Sequence, residues 1–450
     1  MHAQHRAPRL FGTDGLRALA NGEVLTPELA LAVARSAAAE LLASRDAGGS
    51  RAVAVIGRDT RPSGPMLEAA AAAGFASAGI DVQLLGVVPT PVVAYACARG
   101  GADLGLVVSA SHNPMPDNGL KLFGPGGWKL PDEVEQALEE GLGRQGARPT
   151  GGAVGRVGPA GPELAGSYVD GLLAALPARA SGLKLVVDTA QGAASALAPQ
   201  VYRAAGAEVV AIAADGDGDR INDGCGATHL ELLQAAVIEH RADLGLAHDG
   251  DADRCLAVDA HGAVVDGDQV LAILAVALHE RDALPHDTVV ATVMSNLGFV
   301  RAMQSRGITV VQTAVGDRYV LAAMRAGGFT LGGEQSGHTV LLDQATTGDG
   351  LLTGVSILGR MAQTGRSLAE LAGVMTRLPQ VLHNVRAPRE RAQAPDVREA
   401  VAAEERLLGE YGRVLLRPSG TEPLVRVMVE APTAEQAASV AARLAEVVGR

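Results

Sequence analysis

Between Ala52 and Ser111, short apolar runs alternate with helical patterns, and this alternation limits the fold more than any other feature of the chain. "AVAVIGRD" reads as a buried strand, "PMLEAAAAAGFASAG" as a helix and "DVQLLGVV" as a strand. "TPVVAYACARGG" follows as a helix and "LGLVVSAS" as a strand. Strands joined through helices need crossovers, so the pattern predicts a parallel sheet covered by helices. Upstream, "TPELALAVARSAAAELLA" predicts a helix with Thr26 as N-cap and Pro27 at its first position. Ser111 then falls just past the C-terminal end of a strand, the edge where open α/β sheets place ligands.

The Gly- and Pro-rich stretch "ARPTGGAVGRVGPAGPE" marks a boundary near residue 155. A second strand–helix run follows, with strands at "LKLVVDTA", "EVVAIAAD" and "DLGLAHDGD". A third holds "DTVVATV", "ITVVQTAVGD" and "FTLGGEQSG". The three runs share no visible sequence identity, so a repeat is expected in architecture only. After about residue 375 the pattern changes: "GRVLLRPSGTEPLVRVMVE" predicts two strands around a loop, and "TAEQAASVAARLAEVVG" a helix.

Composition removes several function classes. Aromatic residues make up 2% of the chain and the net charge is −12, which suits neither base-stacking platforms nor non-specific nucleic-acid binding. A small anionic ligand in a local basic cleft stays allowed. The start of the chain has no apolar signal region, and "VLAILAVAL" at 270–278 is too short to span a bilayer. Cys97, Cys225 and Cys255 show no CxxC spacing and are expected as buried free thiols in a reducing cytoplasm. The chain has only three lysines, preceded by Leu, Trp and Leu, so no Walker A motif exists. "GLGRQG" at 141–146 follows a charged helical pattern and not a strand, and no GxSxG elbow surrounds a serine.

Four stretches are candidates for chemistry. "SASHNP" ends an apolar run, and Lys121 stands in the same loop region although nearly all other Lys/Arg positions are Arg. Lysine, unlike arginine, can shed its proton when its surroundings depress its pKa, which suits a general acid/base. "DGDADR", Asp249 to Arg254, offers three alternate carboxylates to one hard cation such as magnesium, with open positions left for water and phosphate. "DGDGDR", Asp215 to Arg220, has the same pattern, and local sequence does not choose between the two. "RPSGTEPLVR", Arg417 to Arg426, combines two guanidinium groups with hydroxyls and bare amides, a phosphate cradle in type. The bland readings are a polar turn, two solvated acidic turns and a charged hairpin.

Taken together these elements resemble the α-D-phosphohexomutase family over nearly the whole chain. "SASHNP" resembles its phosphoserine loop, "DGDADR" its magnesium loop, "GEQSGH" its sugar loop and "RPSGTEP" its phosphate loop, in the family's order. Within the family, "FGTDGLR" (11–17), "INDGCGATH" (221–229), "VMSNLG" (293–298) and "GEQSGH" (333–338) most resemble the members acting on glucosamine phosphates.

The resemblance implies an α/β fold of three successive βα-type mixed-sheet domains, 1–155, 156–258 and 259–374. A smaller C-terminal α+β domain, 375–450, completes it around a central cleft. It implies that Ser111, not Ser109, carries phosphate, and that Asp249, Asp251 and Asp253, with phosphorylated Ser111, hold one Mg2+. Arg17 and Arg254 are implied to stabilise the transferring group, and Lys121 or His338 to move the hydroxyl proton. Glu334 and Ser336 would bind the sugar, and Arg417, Ser419, Gly420, Thr421 and Arg426 the other phosphate. His112 and Asn113 would shape the serine loop, with Arg58 and Arg61 as supporting structure.

The implied reaction is a cytoplasmic isomerisation of glucosamine 6-phosphate and glucosamine 1-phosphate through glucosamine 1,6-bisphosphate, toward UDP-N-acetylglucosamine. The partner is a phosphosugar, with no nucleic acid and no membrane, and a homodimer is compatible. The alternatives are a sister phosphomannomutase or phosphoglucomutase, a phosphatase, and a non-catalytic phosphosugar- or metal-binding protein.

Overall fold

A computed structural model describes residues 9–12, 14–41, 50–144, 148–418 and 423–450. They group into two compact units: Met1–Val293 with Thr309–Ala372, and Met294–Ile308 with Gly373–Arg450. The first holds three mixed α/β sheets, the second one antiparallel sheet with helices.

The six-stranded sheet runs in the order Leu16–Leu19, Asp117–Phe123, Leu104–Val108, Val53–Arg58, Asp81–Val87, Val157–Pro159. Its four last strands are parallel, as the helical crossovers require, but Asp117–Phe123 returns antiparallel to Leu104–Val108. The strand–helix alternation by itself points to a parallel sheet; the sheet is mixed, as the family resemblance implies. The turn after Ser111 is short, and a short connection brings the chain back only in the opposite direction. Lys121, expected in a loop, lies on this return strand opposite Val107.

The same construction recurs twice. Leu244–Ala247 is parallel to Lys184–Asp188 and is followed by the antiparallel return strand Leu256–Asp259. Leu331–Gly333 is parallel to Thr288–Thr292 and is followed by the return strand Thr339–Leu341. Each time, the loop between parallel strand and return strand carries one of the motifs: Ser111, Asp249–Asp253, or Glu334–His338. The repeat is therefore architectural.

Local chemistry explains the helices. Thr26 accepts the Leu29 amide at 3.2 Å and starts the helix Pro27–Leu41. Asp266 and Gln269 form a capping box on Gly267–His279. Small residues let layers approach closely: a Cβ on Gly74 would stand 2.5 Å from the Leu31 carbonyl oxygen, so the helix Gly64–Ser77 packs against Pro27–Leu41 only with glycine there. Among the described residues no helix is long and apolar enough to cross a membrane.

In the second unit the strands run Gln380–Arg386, Leu424–Glu430, Arg413–Pro418, all antiparallel. The helix Leu297–Gln304 belongs to this unit although its sequence falls inside the third strand–helix run. Polar caps fix it there. Asn296 exchanges hydrogen bonds with the Leu378 backbone at 2.9 and 3.0 Å, and the Leu297 amide donates to the buried Glu430 carboxylate at 3.0 Å.

Candidate active site

Ser111 adopts φ +52°, a left-handed conformation uncommon for a residue with a side chain, and is fully buried. Its conformation is over-determined by neighbours. The Ser111 amide donates to Ser109 Oγ at 2.9 Å, and Ser109 Oγ donates to Asp59 at 2.6 Å, so Ser109 is used as a brace. Arg61, also fully buried, donates to the carbonyls of Ser111 (3.0 Å), Asn113 (2.7 Å), Pro114 (2.5 Å) and Asp117 (2.9 Å) and to Asp59 (2.9 Å). Asn222, in the "INDGCGATH" stretch, donates to the Ser111 and Asn113 carbonyls at 2.9 and 3.1 Å. One guanidinium thus closes the whole serine turn. Arg61→Met is expected to lower unfolding free energy by about 3–5 kcal/mol, because Asp59 is left buried without its cation. Urea denaturation of the purified variant checks this, and a loss below about 1 kcal/mol contradicts the clamp.

The acidic loop lies directly against the serine. Ser111 Oγ donates to Asp249 at 2.6 Å, and a Cβ on Gly250 would stand 2.5 Å from the Ser111 carbonyl oxygen. Asp249, Asp251 and Asp253 are buried, with ligand atoms within 4.8 Å of one another. Burial first, then the charges of Asp253 and Asp251, pushes the Asp249 carboxyl up to about 7. Thr90 Oγ1 donates to Asp251 at 2.7 Å. Asp251 Oδ1 and Asp253 Oδ1 are buried and receive no hydrogen bond among the described residues. Crowded carboxylates with oxygens to spare fit a hard divalent cation such as magnesium.

The near-copy differs. Asp217 accepts the Asp219 amide at 3.2 Å and pairs with Arg220 at 2.7 Å, and Arg220 also stands 3.6 Å from Asp215. These side chains are largely exposed, and among the described residues the only metal-competent acidic group is 249–253.

Cations face the acidic loop. Lys121 Nζ lies 2.7 Å from Asp251, 2.8 Å from Asp14 and 3.4 Å from Asp253. Burial opposes its charge, but Asp14, Asp251 and Asp253 outweigh burial and hold the ammonium above its ordinary range. The depressed lysine expected from sequence is therefore corrected: three carboxylates surround it. Arg17 pairs with Asp14, and Arg254 Nε lies 3.9 Å from Asp249 and 4.0 Å from Asp253. The Nε groups of both arginines are buried without a hydrogen bond among the described residues, which leaves donors for an anion. His112, next to Ser111, is neutral: burial, then Arg254 and Arg17, lowers it to about 4.

His338 stands 3.6 Å from Asp253 and 3.7 Å from Asp317, and Asp253 outweighs burial to raise its pKa. In the same turn the Glu334 amide donates to the His338 carbonyl at 3.0 Å, and Glu334 Oε1 accepts the Gly316 amide at 3.1 Å. Glu334 and Ser336 are half-buried. The Cys255 amide, at the exit of the acidic loop, donates to the Gly337 carbonyl at 3.0 Å. The Ser111 loop is thus joined to the acidic loop by a side-chain bond, and the acidic loop to the Glu334–His338 turn by a backbone bond.

Sequence reasoning missed part of this cluster. Asp14 gathers Arg17, Lys121 and Lys129, and Lys129 also pairs with Asp317. Asp59, Asn222 and Thr90 were likewise unassigned. "FGTDGLR" and "INDGCGATH" are the signals for Asp14 and Asn222; Asp59 and Thr90 lie in neither stretch. On the second unit, Arg417 and Arg426 are directly paired across neighbouring strands. Ser419, Gly420 and Thr421 lie outside the described residues.

Comparison with known proteins covers the same ground. Models of the four phosphoglucomutase/phosphomannomutase domains match: alpha/beta/alpha domain I at 8–148, II at 166–262, III at 266–378 and the C-terminal domain at 382–447. The chain is 63% identical to a phosphoglucosamine mutase of Frankia alni, over 98% of each chain. It is 60% identical to one of Streptomyces griseus, again over 98% of each. A crystal structure of a phosphoglucomutase/phosphomannomutase family protein from Burkholderia thailandensis superposes with TM-score 0.81 at 26% identity, covering 98% of this chain and 96% of that one. An N-acetylphosphoglucosamine mutase of Aspergillus fumigatus, solved with GlcNAc-6P and magnesium, shares the fold with TM-score 0.64 at 17% identity, covering 98% of this chain and 95% of that one. On these matches the chain belongs to the phosphoglucomutase/phosphomannomutase family.

Proposed function

We propose that this chain interconverts glucosamine 6-phosphate and glucosamine 1-phosphate. Phosphate is carried on Ser111, and glucosamine 1,6-bisphosphate turns over within the site. The observation that carries the reading is the buried Ser111 Oγ at 2.6 Å from Asp249, beside the Asp249–Asp253 carboxylates and the cations Lys121 and Arg254. Relatives named phosphoglucosamine mutase, at 63% and 60% identity, support the choice of sugar.

O6 and O1 of a hexosamine are too far apart for direct exchange, so phosphate is stored on the protein. The Ser111 Oγ–P bond breaks as a P–O bond forms to the substrate hydroxyl, whose proton passes to Lys121 or His338. After the bisphosphate turns over, its other phosphoryl group returns to Ser111 Oγ, and the proton goes back to the freed sugar oxygen. Arg17 and Arg254 present unused donors to the equatorial oxygens of the moving group. Asp249, Asp251 and Asp253 would hold magnesium, which would offset phosphate charge and the Asp251 and Asp253 charges that, with Asp14, raise the Lys121 pKa. Glu334 and Ser336 hydrogen-bond sugar hydroxyls, and Arg417 and Arg426 with the 419–421 turn hold the phosphate that is not moving. The site of action is cytoplasmic, which suits three buried free cysteines.

The test compares glucosamine, glucose and mannose 6-phosphates with magnesium and a trace of each 1,6-bisphosphate. The kcat/KM for the glucosamine compound is expected to lead by at least ~10-fold, the worth of one good polar contact to the 2-substituent. A lead for mannose or glucose reassigns the chain to a sister mutase. Phosphate release without isomer marks a phosphatase, and no turnover over bare Ser111 marks a binding protein.

A further inference from the structure

In an antiparallel sheet, directly paired residues share a face and alternate residues along a strand change face. On the second unit's central strand, Val425, Val427 and Val429 are fully buried in the core under the helices. The opposite face is therefore built from the residues between them, in rows across the sheet. The rows are Gln380–Glu430–Arg413, then Leu382–Met428–Leu415, then Asn384–Arg426–Arg417.

The first row is electrostatically complete: Arg413 Nε donates to the buried Glu430 carboxylate at 2.7 Å. The third is not. Two arginines stand directly opposite each other, about 4.5–5.5 Å apart at Cβ for such a pair, where like charges destabilise a sheet. Neither has a carboxylate partner among the described residues, and Arg426 Nε is buried without a hydrogen bond. An anion lying across the row relieves both problems. Asn384 sits on the other side of Arg426 in that row, in the middle of its strand and exposed. Asn is a poor strand former, so this position gains nothing in sheet stability from it.

We infer that Asn384 is a further phosphate-binding residue, its Nδ2 donating to the phosphate held by Arg417 and Arg426. The inference rests on the mutase reading above. A phosphate dianion is already matched in charge by two guanidinium groups. A neutral amide adds a directed donor without adding a third repelling cation.

Steady-state kinetics with glucosamine 6-phosphate test this in four variants, with melting temperature and inhibition by inorganic phosphate measured alongside. Arg417→Ala and Arg426→Ala are each expected to lose ~10-fold or more in kcat/KM. Asn384→Ala is expected to raise KM and the phosphate inhibition constant by ~5–10-fold, with kcat within ~2-fold. Asn384→Asp sets a carboxylate beside the phosphate and is expected to cost ~100-fold in kcat/KM at an unchanged melting temperature. If both arginine variants are impaired and both Asn384 variants behave as wild type, the Asn384 inference falls and the mutase reading stands. If all four are unchanged, the phosphate role of this sheet falls with it. Equal losses in Asn384→Ala and Asn384→Asp, with lowered melting temperatures, mean a structural residue and overturn the inference.

Discussion

Ser111→Ala is expected to reduce mutase turnover by ~10^4-fold or more, since no other group in the site stores the phosphate. The substitution is a clean probe. Alanine keeps the Cβ and so tolerates the +52° backbone no worse than serine does. The Arg61 and Asn222 bonds reach the Ser111 carbonyl and survive the change. What is lost is Oγ, with its 2.6 Å bond to Asp249 and its 3.2 Å contact with His112 Nδ1. The melting temperature should therefore move little while activity disappears. Peptide mass spectrometry of the wild-type protein is expected to find phosphate on Ser111 within residues 105–124. Phosphate on Ser109 with Ser111 bare, or normal turnover by Ser111→Ala, removes the assignment. Ser109 is a poor alternative because its hydroxyl is spent on Asp59 and on the Ser111 amide.

Asp251→Asn and Asp217→Asn are expected to separate by orders of magnitude although the two loops read almost alike. Asp251 is buried and bonded to Thr90 and Lys121 within the cluster of three carboxylates. Replacing it removes a third of the anionic charge available to a cation and one of the partners of Lys121. The magnesium concentration for half-maximal rate should rise, and kcat should fall ~10^2–10^3-fold, the usual worth of one electrostatic group acting on the transition state. Asp217 faces solvent, and its main bonds are to the Asp219 amide and Arg220. Asparagine still accepts from the amide, so kinetics should stay within ~2-fold and stability within about 0.5 kcal/mol. Magnesium titrations of both variants under one set of conditions check this. A dead Asp217 variant beside a normal Asp251 variant reverses the loop assignment.

The legible part of this protein was the part written in local pattern. Alternating strand and helix periods placed the βα runs, because side-chain periodicity is a property of neighbours in sequence. Thr26 could be named as a cap for the same reason. Motif loops could be placed at strand ends because a buried apolar run must stop where polar residues begin. The return strands were harder. Asp117–Phe123 carries Asn and Gly at its start and a lysine inside it, and only its place beside Leu104–Val108 makes it a strand. The helix Leu297–Gln304 could not be assigned from its neighbours in sequence, since its caps reach Leu378 and Glu430.

By itself, then, the sequence determined which residue types stand at which strand ends: a serine, an acidic loop, a Glu-Gln-Ser-Gly-His turn and an arginine pair. Its local pattern did not determine their charge states or which of two like loops is buried, and only the family resemblance pointed to 249–253. Those depend on distances between residues remote in the chain. "DGDADR" and "DGDGDR" differ by one residue in six, yet one is sunk against Ser111 and the other pairs with its own Arg220 in solvent. Asp14, Asp251 and Asp253 converge on Lys121 from two other segments and hold its ammonium above its ordinary range. Charge interactions fall off with distance and strengthen with burial. Both quantities are set by tertiary packing, so only the folded chain decides them.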